Sequence, residues 1–257
     1  VYAIKEDTGE VVPFLATGGA VVSTPAMSPG GKILFIGSGD QKIYAVSSET
    51  GAIKWEFSTD GAVVASAAVS PAGITVYATS MDGKMYALTA GTGMKKWEFE
   101  TGAAVVSSPA VSPDGIIVYV GSRDRKIYAV AAGTGKMDSP GTWQFETGGS
   151  IESSPVVSRD GGTVFAGSSD KKVYAFEAMS TNTAKKKWEF ETGEAVVSSV
   201  LFSQDDSTLF VGSRDKKIYA LSVETGTKLW EFQADSYVES PPVLSPNGAF
   251  LAVAPMD

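Results

Sequence analysis

The sequence has no cysteine and no histidine, and its only asparagines are Asn182 and Asn247. The lack of cysteine excludes disulfides, thiolate catalysis and cysteine-based zinc sites, and it leaves the redox compartment open. The lack of histidine removes the most common general base and the most common transition-metal ligand. We therefore predict no catalytic residues, no metal site and no cofactor, and we predict that the protein is not an enzyme.

Long apolar runs and excess positive charge are lacking too. No stretch reaches the roughly 18 apolar residues that a membrane-spanning helix needs, and the formal net charge is −8. We predict no nucleic-acid partner and no direct membrane insertion, because both a polyanion and an anionic membrane surface attract basic proteins. The chain opens inside a strand-like pattern, Val1–Ile4, so we expect a trimmed piece of a longer chain. Its localisation stays open between periplasmic, luminal and assembly-associated.

A repeat of about 43 residues runs through the whole chain. Each of six copies contains a Tyr-Ala-apolar triplet, and successive triplets are 42 to 46 residues apart. The triplets begin at Tyr2, Tyr44, Tyr86, Tyr128, Tyr174 and Tyr219. A period of this length is typical of β-propellers and of other repeat proteins, so the repeat decides the fold class.

Each copy holds four β-like runs separated by turn residues. In the third copy these runs are Val105–Val111, Ile116–Val120, Lys126–Val130 and Thr142–Glu146. Several runs are apolar at consecutive positions, which indicates sheets covered on both faces. The sequence therefore predicts an all-β fold, a six-bladed β-propeller with four-stranded antiparallel blades, forming one domain over residues 1–257.

The two ends of the chain are in phase with one repeat. Pro255–Asp257 aligns with Ser122–Asp124, and Val1–Ile4 aligns with Ile127–Val130. We therefore predict a ring closed by N- and C-terminal segments that share one blade. The alternative is that six copies come from a ring of seven or eight blades.

The segment Ala45–Trp55 resembles the tryptophan-docking motif of PQQ-type propeller repeats, in which Ala, Thr-Gly and Trp recur at this spacing. The resemblance covers the whole chain and points to the BamB-like scaffold branch of the family. It implies a structural docking role for the following residues: Trp55, Trp97, Trp143, Trp188, Trp230, Gly51, Gly93 and Gly226.

Three copies depart from this docking motif. Pro13 stands where the first Trp is expected, extra residues follow Gly135, and Ala184 replaces the glycine before Trp188. The inserted segments are 136–141 and 179–183. We expect the docking contacts to be weakest in these three copies.

Two related classes fit the sequence less well. WD-type propellers share the Ser-Pro-Asp-Gly turn but need a Gly-His pair, which a chain without histidine cannot have. The quinoprotein dehydrogenases of the PQQ family have larger rings, a Ca²⁺ ion and often an adjacent Cys pair. The recurring Asp of Ser-x-Asp-x-Lys, as in Asp124, is expected to bond backbone N–H groups in its turn.

Two departures from the repeat mark candidate binding residues. Glu152 and Glu239 replace a recurring valine of the innermost strand, and Tyr237 replaces an alanine close by, so they could hold a cation or polar ligand at a channel mouth. The turns between second and third strands are basic in copies three to five, which suits an acidic partner. The residues of this basic arc are Arg123, Arg125, Lys172, Arg214 and Lys216.

These features predict a non-catalytic protein-interaction scaffold with a protein partner, acidic in character. Two alternatives remain open. One is a propeller that binds a quinone, a sugar or a cation, and the other is a structural spacer in a larger assembly.

Overall fold

The computed structural model describes residues 1–180 and 183–256, and within them all regular structure is β-strand. Across these described segments there is no helix long and apolar enough to cross a membrane. The chain divides into two compact units, Val1–Pro109 and Ala110–Asp257. That residues 1–257 form one domain therefore stays a prediction.

The first unit contains a two-stranded and two four-stranded antiparallel sheets. The two-stranded sheet is β1 (Tyr2–Ile4) and β2 (Val11–Pro13). The four-stranded sheets are β3 (Ala26–Met27), β4 (Ile33–Ser38), β5 (Lys42–Ser47) and β6 (Ile53–Ser58), and then β7 (Ala68–Val69), β8 (Thr75–Thr79), β9 (Lys84–Thr89) and β10 (Lys95–Glu100).

The second unit contains three four-stranded sheets and one two-stranded sheet. The first two sheets are β11 (Ala110–Val111), β12 (Ile117–Gly121), β13 (Lys126–Ala131) and β14 (Trp143–Glu146), and then β15 (Val156–Val157), β16 (Thr163–Gly167), β17 (Lys172–Glu177) and β18 (Lys186–Glu191). The third is β19 (Leu201–Phe202), β20 (Thr208–Gly212), β21 (Lys217–Ser222) and β22 (Lys228–Gln233), and the last pair is β23 (Val243–Leu244) and β24 (Leu251–Ala252).

The four strands of each full sheet are consecutive along the chain, as predicted for a propeller blade. Every residue of β12 is buried, and so are the four central residues of β13 and β17. The consecutive apolar residues in these strands are thus covered on both faces. The all-β class and the four-stranded antiparallel blade are confirmed.

Glycines at the end of the second strands let successive repeats approach closely. A Cβ atom on Gly121 would lie 2.3 Å from the Ile151 side chain, and one on Gly167 would lie 2.4 Å from that of Val196. In the second repeat this position is held by Thr79, whose hydroxyl donates to the Ser107 carbonyl at 2.7 Å. At the glycine positions, the segment that leads into the next sheet packs into the space that a side chain would fill.

The hairpins at the two ends of the chain form separate sheets. In residues 1–180 and 183–256, β1 pairs only with β2, and β23 pairs only with β24. A shared blade, a closed ring and a total of six blades therefore stay predictions. Asp257, which the phase argument used, lies outside the described residues.

Candidate functional site

Three of the predicted docking tryptophans make the same hydrogen bond. Each indole Nε1–H donates to the carbonyl oxygen of the residue 35 positions later, in the next repeat. The bonds join Trp55 to Ala90 at 2.9 Å, Trp143 to Ala178 at 3.1 Å, and Trp188 to Val223 at 2.9 Å. The tryptophan therefore ties one sheet to the next one along the chain.

The predicted glycines receive these indoles. A Cβ on Gly93 would lie 2.7 Å from the Trp55 ring, and one on Gly226 would lie 2.6 Å from the Trp188 ring. Both glycines also have φ near +70°, a region that favours glycine. At Gly51 the Phe14 carbonyl oxygen takes the place of an indole, and a Cβ on Gly51 would lie 2.2 Å from it.

The expectation of weak docking in the irregular copies is wrong for Trp143. Its indole is 1% exposed, keeps its hydrogen bond, and lies 5.3 Å from the Phe176 ring and 5.9 Å from the Tyr119 ring.

The prediction that Pro13 stands at the tryptophan position of the first repeat is also corrected. Val12 pairs with Ala3 as Trp55 pairs with Ala45, so Val12, and not Pro13, holds the tryptophan position.

The recurring turn Asp links each turn to the segment that enters its sheet. Asp40 accepts hydrogen bonds from the Gly18 N–H, the Lys42 N–H and the Tyr44 hydroxyl, at 2.7, 3.2 and 2.7 Å. Burial opposes ionisation of Asp40, but these hydrogen bonds outweigh it and hold the pKa below its usual range. Burial and the bond to Asp40 raise the pKa of Tyr44 to about 12. The predicted structural role of the turn Asp is thus confirmed here.

The predicted binding residues all lie along one series of turns in the second unit. Backbone hydrogen bonds join each turn to the segment that enters its own sheet, as Ser169 N–H to the Ser150 carbonyl, and to the segment that enters the next sheet, as Ile151 N–H to the Ser122 carbonyl. We call this series the turn rim. It comprises residues 122–126, 147–152, 168–172, 192–197, 213–217 and 234–239.

Two pairs of predicted residues meet on the turn rim. The Arg123 guanidinium donates from Nε to the Glu152 carboxylate at 3.1 Å, and Arg214 does the same to Glu239 at 2.7 Å. Each Glu thus neutralises an Arg that was predicted to belong to a basic arc. Tyr237 lies beside Lys216, whose Nζ is 6.0 Å from the centre of its ring.

Three cationic side chains occupy a strained turn position. Arg125, Lys171 and Lys216 have φ values of 73°, 74° and 68°, where Gly83 stands in the second repeat and Gln41 in the first. The left-handed conformation costs a non-glycine residue about 1–2 kcal/mol. Lys171 was not predicted as a site residue, although its alignment with Arg125 and Lys216 would have revealed it.

Lys172, a predicted site residue, takes part in an ion pair that recurs between neighbouring strands. Its Nζ contacts the Glu189 carboxylate at 2.6 Å, across neighbouring strands. Lys42 and Glu56 make the same contact at 2.8 Å in the first unit. The hydrogen bond to Glu189 raises the pKa of Lys172.

The turn rim is close to charge balance. Its segments carry eight Lys or Arg and seven Asp or Glu residues, whereas the whole chain has a net charge of −8. Among the residues that the structure describes, no group of three acidic side chains is placed to hold a metal ion. Glu152 and Glu239 bind arginines, so the arrangement gives no support to the cation-binding alternative.

A further departure from the repeat was not predicted from the sequence. It lies in the turns between the first and second strands of each sheet, where Pro113 packs against Gly161 of the following sheet. At the equivalent two positions one repeat later, the sequence has Arg159 and Asp206. Arg159 Nε lies 3.4 Å from Asp206 Oδ1, and Nη1 donates to the Gln204 carbonyl at 3.2 Å. These residues line a cleft of about 490 Å³. Aligning the turns pairwise would have shown that both residues change together.

Repeat, blade and docking geometry define a β-propeller built from the PQQ-type repeat. The family model described as outer membrane protein assembly factor BamB matches residues 1–196 and 178–253, so the chain belongs to this family. No curated protein matches the sequence significantly.

Two solved structures share the fold. The crystal structure of BamB from Moraxella catarrhalis superposes with a TM-score of 0.68 at 21% identity, covering 83% of this chain and 62% of that chain. The crystal structure of a mitotic checkpoint complex contains a chain with a TM-score of 0.79 at 18% identity, covering 99% of this chain and 78% of that one. The chain thus spans less than two thirds of the BamB chain.

Proposed function

We propose that the protein is a non-catalytic scaffold that binds a protein partner through the turn rim. The observation that carries this proposal is the set of three cations at left-handed φ, Arg125, Lys171 and Lys216. Gly83 shows that the same turn forms without strain. Strained residues that persist at equivalent positions are a feature of functional surfaces.

The contacts of these cations suit exchange with a partner. Arg125 pairs with Glu146 at 2.6 Å, and Lys171 with Glu194 at 3.0 Å, and all four side chains are at least 44% exposed. Exposed ion pairs contribute only about 0–1 kcal/mol to stability. A partner's carboxylates can therefore replace Glu146 and Glu194 at little cost, which supports an acidic partner segment.

The comparisons are consistent with such a role. The family model is described as an outer membrane protein assembly factor, and one of the two solved structures is that of a mitotic checkpoint complex. A propeller presents a broad rigid surface, and binding through it requires no catalytic group.

The test removes the three charges without disturbing the turns. We design the triple variant Arg125→Gln, Lys171→Gln and Lys216→Gln, because Gln41 occupies this position at φ 70° in the first repeat. The control variant replaces three cations outside the turn rim, Lys32, Lys136 and Lys185, with Gln. Extracts of the source organism are passed over each immobilised variant, and captured proteins are compared with those held by the unmodified chain.

We expect the rim variant to lose a protein that the control variant still captures. With that protein purified, association should slow about tenfold or more at low salt and less at high salt, because exposed charges act over about 8 Å at physiological ionic strength. Equal capture by both variants would exclude the turn rim as the binding surface.

A further inference from the structure

The cleft beside Arg159 and Asp206 departs from the repeat in backbone conformation as well as in sequence. Asp206 has φ +57°, whereas the equivalent turn residue of the other five repeats is a glycine with φ between 70° and 74°. A Cβ disfavours this left-handed conformation, so an aspartate here carries a backbone cost that glycine avoids. Residues held at such a cost cluster at ligand-binding and other functional sites.

The carboxylate of Asp206 is also incompletely satisfied. Its Oδ1 atom is buried, and no donor in the described part of the chain makes a hydrogen bond to it. Arg159 Nε lies 3.4 Å away, which is an ion pair without hydrogen-bond geometry. In a native protein a buried acceptor without a donor calls for an explanation, and a ligand that donates is one. The Arg159 side chain is 68% exposed, so it is free to turn from Asp206 toward a ligand.

The two sheets that form the cleft contribute charges of opposite sign. The sheet β15–β18 provides Arg159 and Lys187, and the sheet β19–β22 provides Asp206 and Glu224. The remaining charged residue of the lining, Asp160, accepts two hydrogen bonds within its own turn. The cleft therefore presents two cations on one side and two carboxylates on the other.

Both cations retain donors for a ligand. Lys187 Nζ donates to the Thr163 hydroxyl at 2.8 Å, as Lys96 does to the Thr75 hydroxyl, so this lysine contact belongs to the repeat. Arg159 is the added cation, and its Nη1 donates to a backbone carbonyl of the neighbouring turn at 3.2 Å. An ammonium has three N–H donors and a guanidinium has five, which leaves several on each side chain for a carboxylate.

The rest of the lining includes an apolar part. Phe202 and Val223 lie in the lining, and the Phe202 ring packs edge-on against Phe165 with 5.5 Å between ring centres. Phe202 stands where three other repeats have the smaller valine, at Val69, Val111 and Val157. The volume of about 490 Å³ falls within the range of small-molecule sites, about 300–1,000 Å³.

We propose that this cleft binds a free amino acid with an apolar side chain. The ligand's carboxylate pairs with Arg159 and Lys187, its ammonium group pairs with Asp206 and Glu224, and its side chain contacts Phe202. A simple anion would meet the two carboxylates, and a simple amine would meet the two cations, so a ligand carrying both charges fits best.

This site is separate from the turn rim. The turns that line the cleft join first to second and third to fourth strands, whereas the turn rim joins second to third strands. The two therefore lie at opposite ends of the antiparallel strands, and the proposal does not depend on a partner at the turn rim.

The experiment measures dissociation constants by saturation-transfer NMR titration. The probes are L-phenylalanine, 3-phenylpropionate, which lacks the ammonium group, and 2-phenylethylamine, which lacks the carboxylate. The double variant Arg159→Pro and Asp206→Gly restores the Pro113 and Gly161 arrangement of the preceding pair of turns, so it should fold. Lys96→Gln is the control, because Lys96 makes the same hydroxyl contact as Lys187 outside this cleft.

We expect the unmodified chain and Lys96→Gln to bind phenylalanine about tenfold or more tightly than either analogue, because each analogue leaves one charged pair unmade. The double variant should lose this preference while its circular dichroism spectrum stays unchanged.

Three results would overturn the proposal. Absence of saturation transfer to phenylalanine from the unmodified chain would mean that the cleft takes no such ligand. Equal affinity for one analogue would mean a site for a simple anion or a simple amine. Unchanged phenylalanine binding by the double variant would place the binding elsewhere on the molecule.

Discussion

Trp143 and Trp230 occupy the same position of the repeat but differ in what covers their indoles. Trp143 is 1% exposed, contacts two aromatic rings and donates to the Ala178 carbonyl. Replacing a fully buried tryptophan by alanine costs about 3–5 kcal/mol. We therefore predict that Trp143→Ala lowers the free energy of unfolding by about 4 kcal/mol. For Trp230→Ala, at 44% exposure, the same reasoning gives about 1–2 kcal/mol.

The hydrogen bond itself should contribute little. The Ala178 carbonyl also accepts from the Tyr119 hydroxyl at 2.9 Å, so it stays satisfied when the indole N–H is removed. Trp143→Phe keeps an aromatic ring in the site and should cost only about 1–2 kcal/mol. This variant separates the loss of packing from the loss of the donor.

The assay is urea denaturation followed by circular dichroism. With a slope of about 2–3 kcal/mol/M, the Trp143→Ala midpoint should fall by about 1–2 M, and the Trp230→Ala midpoint by less than about 1 M. Equal shifts for the two alanine variants would refute the view that docking on the next repeat stabilises these sheets.

The remaining predictions concern individual turns. Tyr44 should ionise near pH 12 in an ultraviolet titration of the folded protein, and the stability it contributes should be lost as the pH rises from 10 to about 12. The lowered pKa of Asp40 contributes stability above pH 3.8, so Asp40→Asn should flatten the acid limb of a thermal-denaturation profile below that pH. Asp206→Gly removes a residue at φ +57°. It should leave the melting temperature unchanged or raise it, because relief of about 1 kcal/mol of backbone strain offsets the loss of a partly exposed ion pair, in which the Arg159 side chain is 68% and the Asp206 side chain 32% exposed. A clear fall would show that the pair with Arg159 matters more.

Much of the fold follows from the sequence because the repeat presents the same local signals each time. The consecutive apolar residues Ile116–Val120 predicted a sheet covered on both faces, and the structure buries all of them except Ile116, which is 52% exposed. The turn position of Asp40 predicted its backbone hydrogen bonds. These features depend on residues within one repeat or on the period itself, both of which are visible in the sequence.

The site was harder to predict because its contacts join residues from different repeats. Glu152 was predicted at a channel mouth from its place in one repeat, whereas its partner Arg123 stands 29 positions earlier, in the preceding repeat. Val12 was missed as the tryptophan equivalent because β1 and β2 pair without the bulge that shifts the register beside Trp55. Spacing alone does not show a bulge.

The central claim is that a partner binds the turn rim, and site-specific photo-crosslinking tests it most directly. A photoreactive phenylalanine analogue replaces Tyr237 on the turn rim or, as a control, Met179 in the predicted insertion; the two side chains are 49% and 48% exposed. In cells of the source organism, we expect a covalent adduct to a second protein from position 237 and none from position 179. An adduct from position 179 alone, or from neither position, would contradict the account.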